Sequence, residues 1–287
     1  MLFPSMMSTE ISFGRKPRQK RLNLLYSPVM KKFSLALLLL AVLSGIAIFA
    51  MPKLGIADYV ETHLELQEYE KSRESIPETT KKPAVLGASQ AVSEAIAEIP
   101  NSINYDLPFI PQAPFANWDE RHEDFCEEAS LVMAAYYTET KQYTDLEAAD
   151  ELMNNLADWE LTQFGSFKST NNAETTEIGS IQLGLNIDIE KVDIKQIKQF
   201  LAEGRVIIAP TAGRELGNPF FQTPGPVYHM LLIKGYTENG QFVTNDPGTK
   251  HGADFLYDEQ TLYDAIGEYQ YIDGSVNTTI KEVLVVN

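Results

Sequence analysis

YHMLLIKGYTENGQFVTND, running from Tyr228 to Asp246, reads as two strands and the turn that joins them. Tyr228–Tyr236 is an apolar and aromatic run, and Gln241–Asn245 resumes the pattern with Phe242 and Val243. Between them Asn239-Gly240 is a pair that tolerates the positive φ angles of a tight hairpin turn. The stretch also carries polar chemistry at both ends, His229 near its start and Asp246 at its close. On antiparallel strands the two share a face of the sheet if the turn centres on Asn239-Gly240. They stand directly opposite only if it centres nearer Thr237-Glu238. The spacing is compatible with a His–Asp pair; a histidine opening an apolar strand is, taken alone, more often a satisfied core residue.

Outward from the hairpin, Arg205–Pro210 reads as another buried strand, and Glu282–Val286 closes the sheet. Upstream the apolar period changes from two to about 3.6. Glu127–Tyr137 presents Ala129, Val132, Met133 and Tyr136 on one helical face, a second helix is expected over Asp145–Asp158, and a third over Ile194–Glu203 ends at Gly204. Helices first and antiparallel strands after them predict an α+β domain. Cys126, the single cysteine of 287 residues, falls at the start of the first helix. A helix N-terminus favours an anion there, and the thiolate is the reactive form of the residue. The plainer reading is a buried, inert cysteine behaving as a small hydrophobe.

The remainder of the chain divides by charge. Before Met51 there are seven Lys and Arg and one acid, Glu10. Phe33–Met51 is a nineteen-residue run without charge, near the ~20 residues that span a bilayer. Basic residues on its N-terminal side predict a cytoplasmic tail over 1–32, a transmembrane anchor or signal segment over 33–51, and an exported remainder. The small-x-small cleavage sites are poor, so an uncleaved anchor is expected and a secreted form is the alternative. Met30-Lys31-Lys32 also resembles a start, which leaves Met1 and Met30 as candidate first residues. Residues 52–104, rich in Glu, Lys, Ser, Pro and Ala, read as a linker or stalk. Residues 105–287 form the globular domain, with eleven basic against thirty acidic residues, a net charge of −19. Such an acidic surface repels phosphate backbones and argues against nucleic acid as a partner.

Two segments are similar to the halves of C39-like peptidases. Leu107–Asp119 (LPFIPQAPFANWD) with Phe125–Leu131 (FCEEASL) resembles the first half, and Tyr228–Tyr236 with Thr244–Gly248 (TNDPG) the second. The resemblance covers about residues 106–286 and implies a papain-like fold, N-terminal helices packed on an antiparallel sheet. It implies Gln112 as oxyanion donor, Cys126 as nucleophile, His229 as base and Asp246 as the acid that orients it. It further implies hydrolysis of peptide bonds in a peptide or protein substrate, with no cofactor or metal. The ATPase and multi-span domains of bacteriocin exporters have no counterpart here, so cleavage after a double glycine does not carry over. An acyltransferase on the same scaffold and a non-catalytic peptide-binding module are the alternatives.

Other residues are set aside. His122 is expected to be a solvated loop residue, and Glu127 and Glu128 ordinary first-turn acids that complement the helix dipole. Asn245 is the rival to Asp246 as orienting group. Thr211–Val227, with three glycines and three prolines, is a surface loop or a cleft-lining flap. His63, His122 and His251 have no spacing that suits a metal.

Overall fold

The computed structural model describes residues 69–80, 82 and 99–287, all within the unit Thr62–Asn287. The expected cytoplasmic tail and the apolar run 33–51 lie outside the described residues. Among those described, no helix is long and apolar enough to cross a membrane.

Seven antiparallel strands form the main sheet: β1 (Ile103–Asn104), β2 (Ile187–Lys191), β3 (Val206–Ala212), β4 (Tyr228–Tyr236), β5 (Gln241–Asn245), β6 (Phe255–Asp258) and β9 (Glu282–Val286). Their order is β2-β9-β3-β4-β5-β6, with β1 pairing to the end of β4 beyond the reach of β3. A separate hairpin joins β7 (Glu268–Gln270) to β8 (Ser275–Asn277). The helices are α1 (Cys126–Tyr137), α2 (Leu146–Gln163), α3 (Asn172–Leu183), α4 (Ile194–Ala202) and α5 (Glu259–Ala265). The domain is α+β, as its pattern predicts. Four helix starts are fixed by side chains that satisfy orphan N–H groups: Asp145 caps α2, Asp258 caps α5, and capping boxes of Asn171 with Glu174 and Asp193 with Gln196 open α3 and α4.

Helix α1 lies against β3 and β4 on one side and against α2 and α3 on the other. Eleven of its twelve residues are therefore buried, which a single apolar stripe does not predict. Glu127 and Glu128 are only 2% and 1% exposed, so they are interior residues and not the ordinary solvated first-turn acids expected.

The hairpin that opens the sequence reading forms over the expected residues, with one addition. Tyr236 pairs with Phe242 and Gly235 with Val243, but Ile233 pairs with Thr244 and Leu232 with Asn245. Lys234 is the extra residue of a β-bulge. Side chains alternate along a strand, so this single insertion reverses which β5 residues share the His229 face. Extended by one step, the register sets Asp246 level with Leu231, diagonal to His229 on the same side. Without the bulge Asn245 would hold that side. Lys234 is itself buried, its ammonium bonded to the Tyr105 carbonyl (2.9 Å) and paired with Asp254 (2.6 Å).

Residues Tyr69–Thr80, within the stretch read as a linker, pack on the domain. Tyr69 stacks on Phe255 with ring centroids 4.6 Å apart and meets Phe220 edge-on. Arg73 donates to the Ala253 carbonyl at 3.1 Å, and Thr80 N–H donates to the Asn104 carbonyl at 2.6 Å. Asn104 returns bonds to Thr80 and Pro77. The packed structure thus begins well before Tyr105.

Candidate active site

A cleft of about 1010 Å³ is walled by the Pro111–Asp124 loop, the start of α1, the segment Pro219–His229 and the turn Gly248–His251. Gln112, Cys126 and His229 all line it. Of the segment Thr211–Val227, the first two residues end β3, Gly213–Leu216 form a 3₁₀ turn, and Pro219–Gln222 with Pro226–Val227 line the cleft. The flap reading therefore fits this segment. Phe115 and Trp118 stand half exposed in or beside the Pro111–Asp124 loop.

Asp246 lies behind His229, fully buried. Its Oδ1 accepts from His229 Nε2 at 2.7 Å and from Gly248 N–H at 2.9 Å; its Oδ2 accepts from Tyr257 hydroxyl at 2.5 Å and Asn218 amide at 3.0 Å. Burial alone would raise this carboxyl, but the His229 charge and the bonds from His229, Tyr257 and Gly248 outweigh it and hold it below its ordinary range. A carboxylate that accepts at Nε2 fixes the proton there in the neutral ring and leaves the Nδ1 lone pair free as a base. Phe221 closes edge-on over the imidazole, centroids 5.1 Å apart. Asn245 is engaged elsewhere, with Pro108, Met133 and the Asp254 N–H, so it does not occupy the orienting position.

Cys126 is the first residue of α1 and is 6% exposed. Its thiol donates to Glu127 Oε2 at 2.8 Å, while Glu127 Oε1 accepts from the Thr170 N–H at 3.0 Å. Burial first, and the Glu127 charge second, push the thiol well above its ordinary range. Behind it sit Glu128 and Glu160. Neither carboxyl finds a donor among the other described residues, and burial raises both, Glu160 to about 9. A proton held between the two satisfies both groups without leaving paired charges in the interior.

Gln112 reaches the cleft, but its amide nitrogen donates to the carbonyls of His122 (2.8 Å) and Glu123 (3.1 Å). It braces the turn that leads into Cys126. His122 is not the solvated residue expected: it is 4% exposed and held between Asp119 (2.7 Å) and Asp150 (2.9 Å). Asp119 is close in sequence, but Asp150 lies on α2, so only the fold brings the pair together. The structure therefore gathers Gln112, Cys126 and His229 at one cleft with Asp246 behind. Tyr257 and Asn218 join them unannounced, and Glu127, read from the sequence as an ordinary first-turn acid, joins them at the Cys126 thiol.

No curated protein matches the chain. A solved crystal structure of a C39-like peptidase from Bacillus anthracis is similar over 63% of this chain and 94% of that one, with 14% identity and a TM-score of 0.42. Residues 105–274, more than half of the chain, match the model of the Peptidase_C39 like family, and the chain belongs to that family.

Proposed function

We propose that the protein is a cysteine peptidase of papain-like design, in which Cys126, His229 and Asp246 cleave peptide bonds through an acyl-enzyme. The observation that carries this reading is the buried His229–Asp246 bond of 2.7 Å, beside a cleft that also receives the only thiol of the chain. Asp246 holds the imidazole so that Nδ1 faces its task as base. On attack, the Cys126 proton passes to Nδ1 as sulfur bonds to the substrate carbonyl carbon. The same proton then goes to the departing amine, and water repeats the cycle on the thioester. The Cys126 N–H at the start of α1 supports the oxyanion, and Gln112 joins it when its longer bond, to the Glu123 carbonyl, opens.

The N-terminal part belongs to the same proposal. A basic tail over 1–32, an anchor over 33–51 and a tether up to the packed segment at Tyr69 hold the peptidase domain outside the cell membrane, where it meets peptide or protein substrates. The charge asymmetry around the apolar run supports that orientation.

The deciding experiment is hydrolysis of a fluorogenic peptide library by the full chain and by Cys126→Ala. Activity is expected to vanish in the variant with its circular dichroism unchanged. Hydrolysis that persists in purified Cys126→Ala removes the thiol mechanism.

A further inference from the structure

Papain-like chemistry is usually pictured with a nucleophile already half ionised by its histidine. Here the thiol is engaged in another direction. Cys126 Sγ–H points to Glu127 Oε2 at 2.8 Å, and the Thr170 N–H bonded to Oε1 pins that carboxylate in place. Both residues are more than nine-tenths buried, and no cation among the described residues pairs with Glu127. Groups facing it are Cys126 and Glu128 from α1, Glu160 from α2, Asp124 from the preceding loop and Tyr228 from β4. Every one of these is neutral or an acid; at Cys126 itself a backbone bond from Met230 favours the thiolate, but burial, the Glu127 charge and the Glu127 bond each outweigh it. A thiolate at this position would lose its hydrogen bond and stand against a carboxylate in a medium of low dielectric.

We propose that Glu127 is a catalytic residue that keeps Cys126 as a neutral thiol between turnovers, so that sulfur ionises only as its proton turns to His229 during attack. The inference rests on the peptidase reading, which gives the thiol its task. Glu127 neither gains nor loses a proton in the step: the Cys126 proton goes to His229 Nδ1, the sulfur–carbon bond forms, and the carboxylate keeps its bond to Thr170. Its effect is on the resting state. It guards a lone, cleft-facing thiol against oxidants and adventitious electrophiles, whose rates follow the thiolate fraction.

The test uses the full chain, in which every thiol signal belongs to Cys126. Thiolate absorbance near 240 nm and the rate of iodoacetamide alkylation are followed against pH in the wild type and in Glu127→Gln. The glutamine keeps the shape and the Thr170 bond, and its amide donates to sulfur where the carboxylate repelled it. The wild-type midpoint is expected above the ~8.5 of a free thiol, and Glu127→Gln should alkylate at least tenfold faster at pH 7 with a lower midpoint. A wild-type midpoint at or below that of a free thiol overturns the proposal, even if the variant fails to fold. An unchanged or slower rate in folded Glu127→Gln also overturns it, because burial is retained while the charge is gone. Both readouts are independent of hydrolysis, so a protein that cleaves no peptide would reject the peptidase reading and leave this result standing on its own.

Discussion

Asp246 accepts four hydrogen bonds in a dry interior, and its removal is expected to cost more than orientation of the base. Asp246→Ala leaves the Gly248 N–H and the Tyr257 hydroxyl without their acceptor and the Asn218 amide with only the Tyr257 oxygen, at about 1–3 kcal/mol for each buried group left unsatisfied. Urea unfolding should therefore show a loss of at least ~2 kcal/mol alongside the fall in kcat. Gly248 makes the complementary point. A Cβ there would lie 2.8 Å from His229 Cε1 and 2.9 Å from Phe221, so Gly248→Ala should push the imidazole aside. An activity loss of about 10²-fold is expected from so small a displacement, measured as kcat/KM against a protein whose melting temperature barely moves. The acids predict a stability optimum near pH 5. Asp246, held low in the fold, contributes stability above the ordinary carboxyl range of about 4, and this is lost as pH falls below it. Glu160 has the opposite sign: raised to about 9, it costs nothing below about pH 4.5, and its cost grows as pH rises toward 9. Glu160→Gln should accordingly raise the melting temperature by several degrees at pH 8 and by little at pH 5. Cys126 and His229 were legible in the sequence because each adjoins a strong periodic element. Tyr257 and Asn218 were not, since their only signal is a meeting with Asp246 across 11 and 28 residues.

Strand β4 and its partners set the site, and one glycine controls how they meet. At Gly235 a Cβ would sit 2.0 Å from the Ile103 carbonyl oxygen, so β1 can lie on β4 only where no side chain intervenes. Gly235→Ala should detach β1, with a cost of about 2–4 kcal/mol seen in chemical denaturation and faster amide exchange at Tyr105, whose N–H bonds to the Lys234 carbonyl. The elements legible in advance share one property, an apolar period that matches their burial. Thus β4 and β5 were located to the residue, and α1, α2 and α4 to within a turn or so at either end. Helix α3 escaped because its sequence, NAETTEIGSIQL, buries Ile178, Gly179 and Leu183 while exposing Ile181, so no stripe forms. Its boundaries were nonetheless written in the Asn171–Glu174 capping box and in Gly184, whose φ of 69° ends the helix. The strands β1, β6, β7 and β8 are two to four residues long, too short for alternation to rise above chance, and β2, although as long as β5, fully buries only Ile187.

For the molecule as a whole, composition separated the basic N-terminal part from the acidic domain but misjudged where packing starts. Residues 69–80 have the polar make-up of a linker, yet Tyr69 and Thr80 find partners that only the folded sheet supplies. A protein beginning at Thr62 should melt as the full chain does. One beginning at Ile99, which keeps β1, should melt several degrees lower, because it strips the ring from Phe255 and the partners from Asn104; equal melting temperatures would return residues 69–80 to the status of a linker. The sheet as a whole also takes its frame from the bulge at Lys234. In the language of insertions and deletions, the group that accepts from His229 is fixed by strand length and not by the side chain found at an aligned position. A lineage that lost one residue from β4 would exchange a carboxylate for an amide beside its histidine without altering either codon. It could recover the acid by a single change of Asn245 to Asp, so relatives without the bulge are expected to carry their orienting acid one place earlier in the chain.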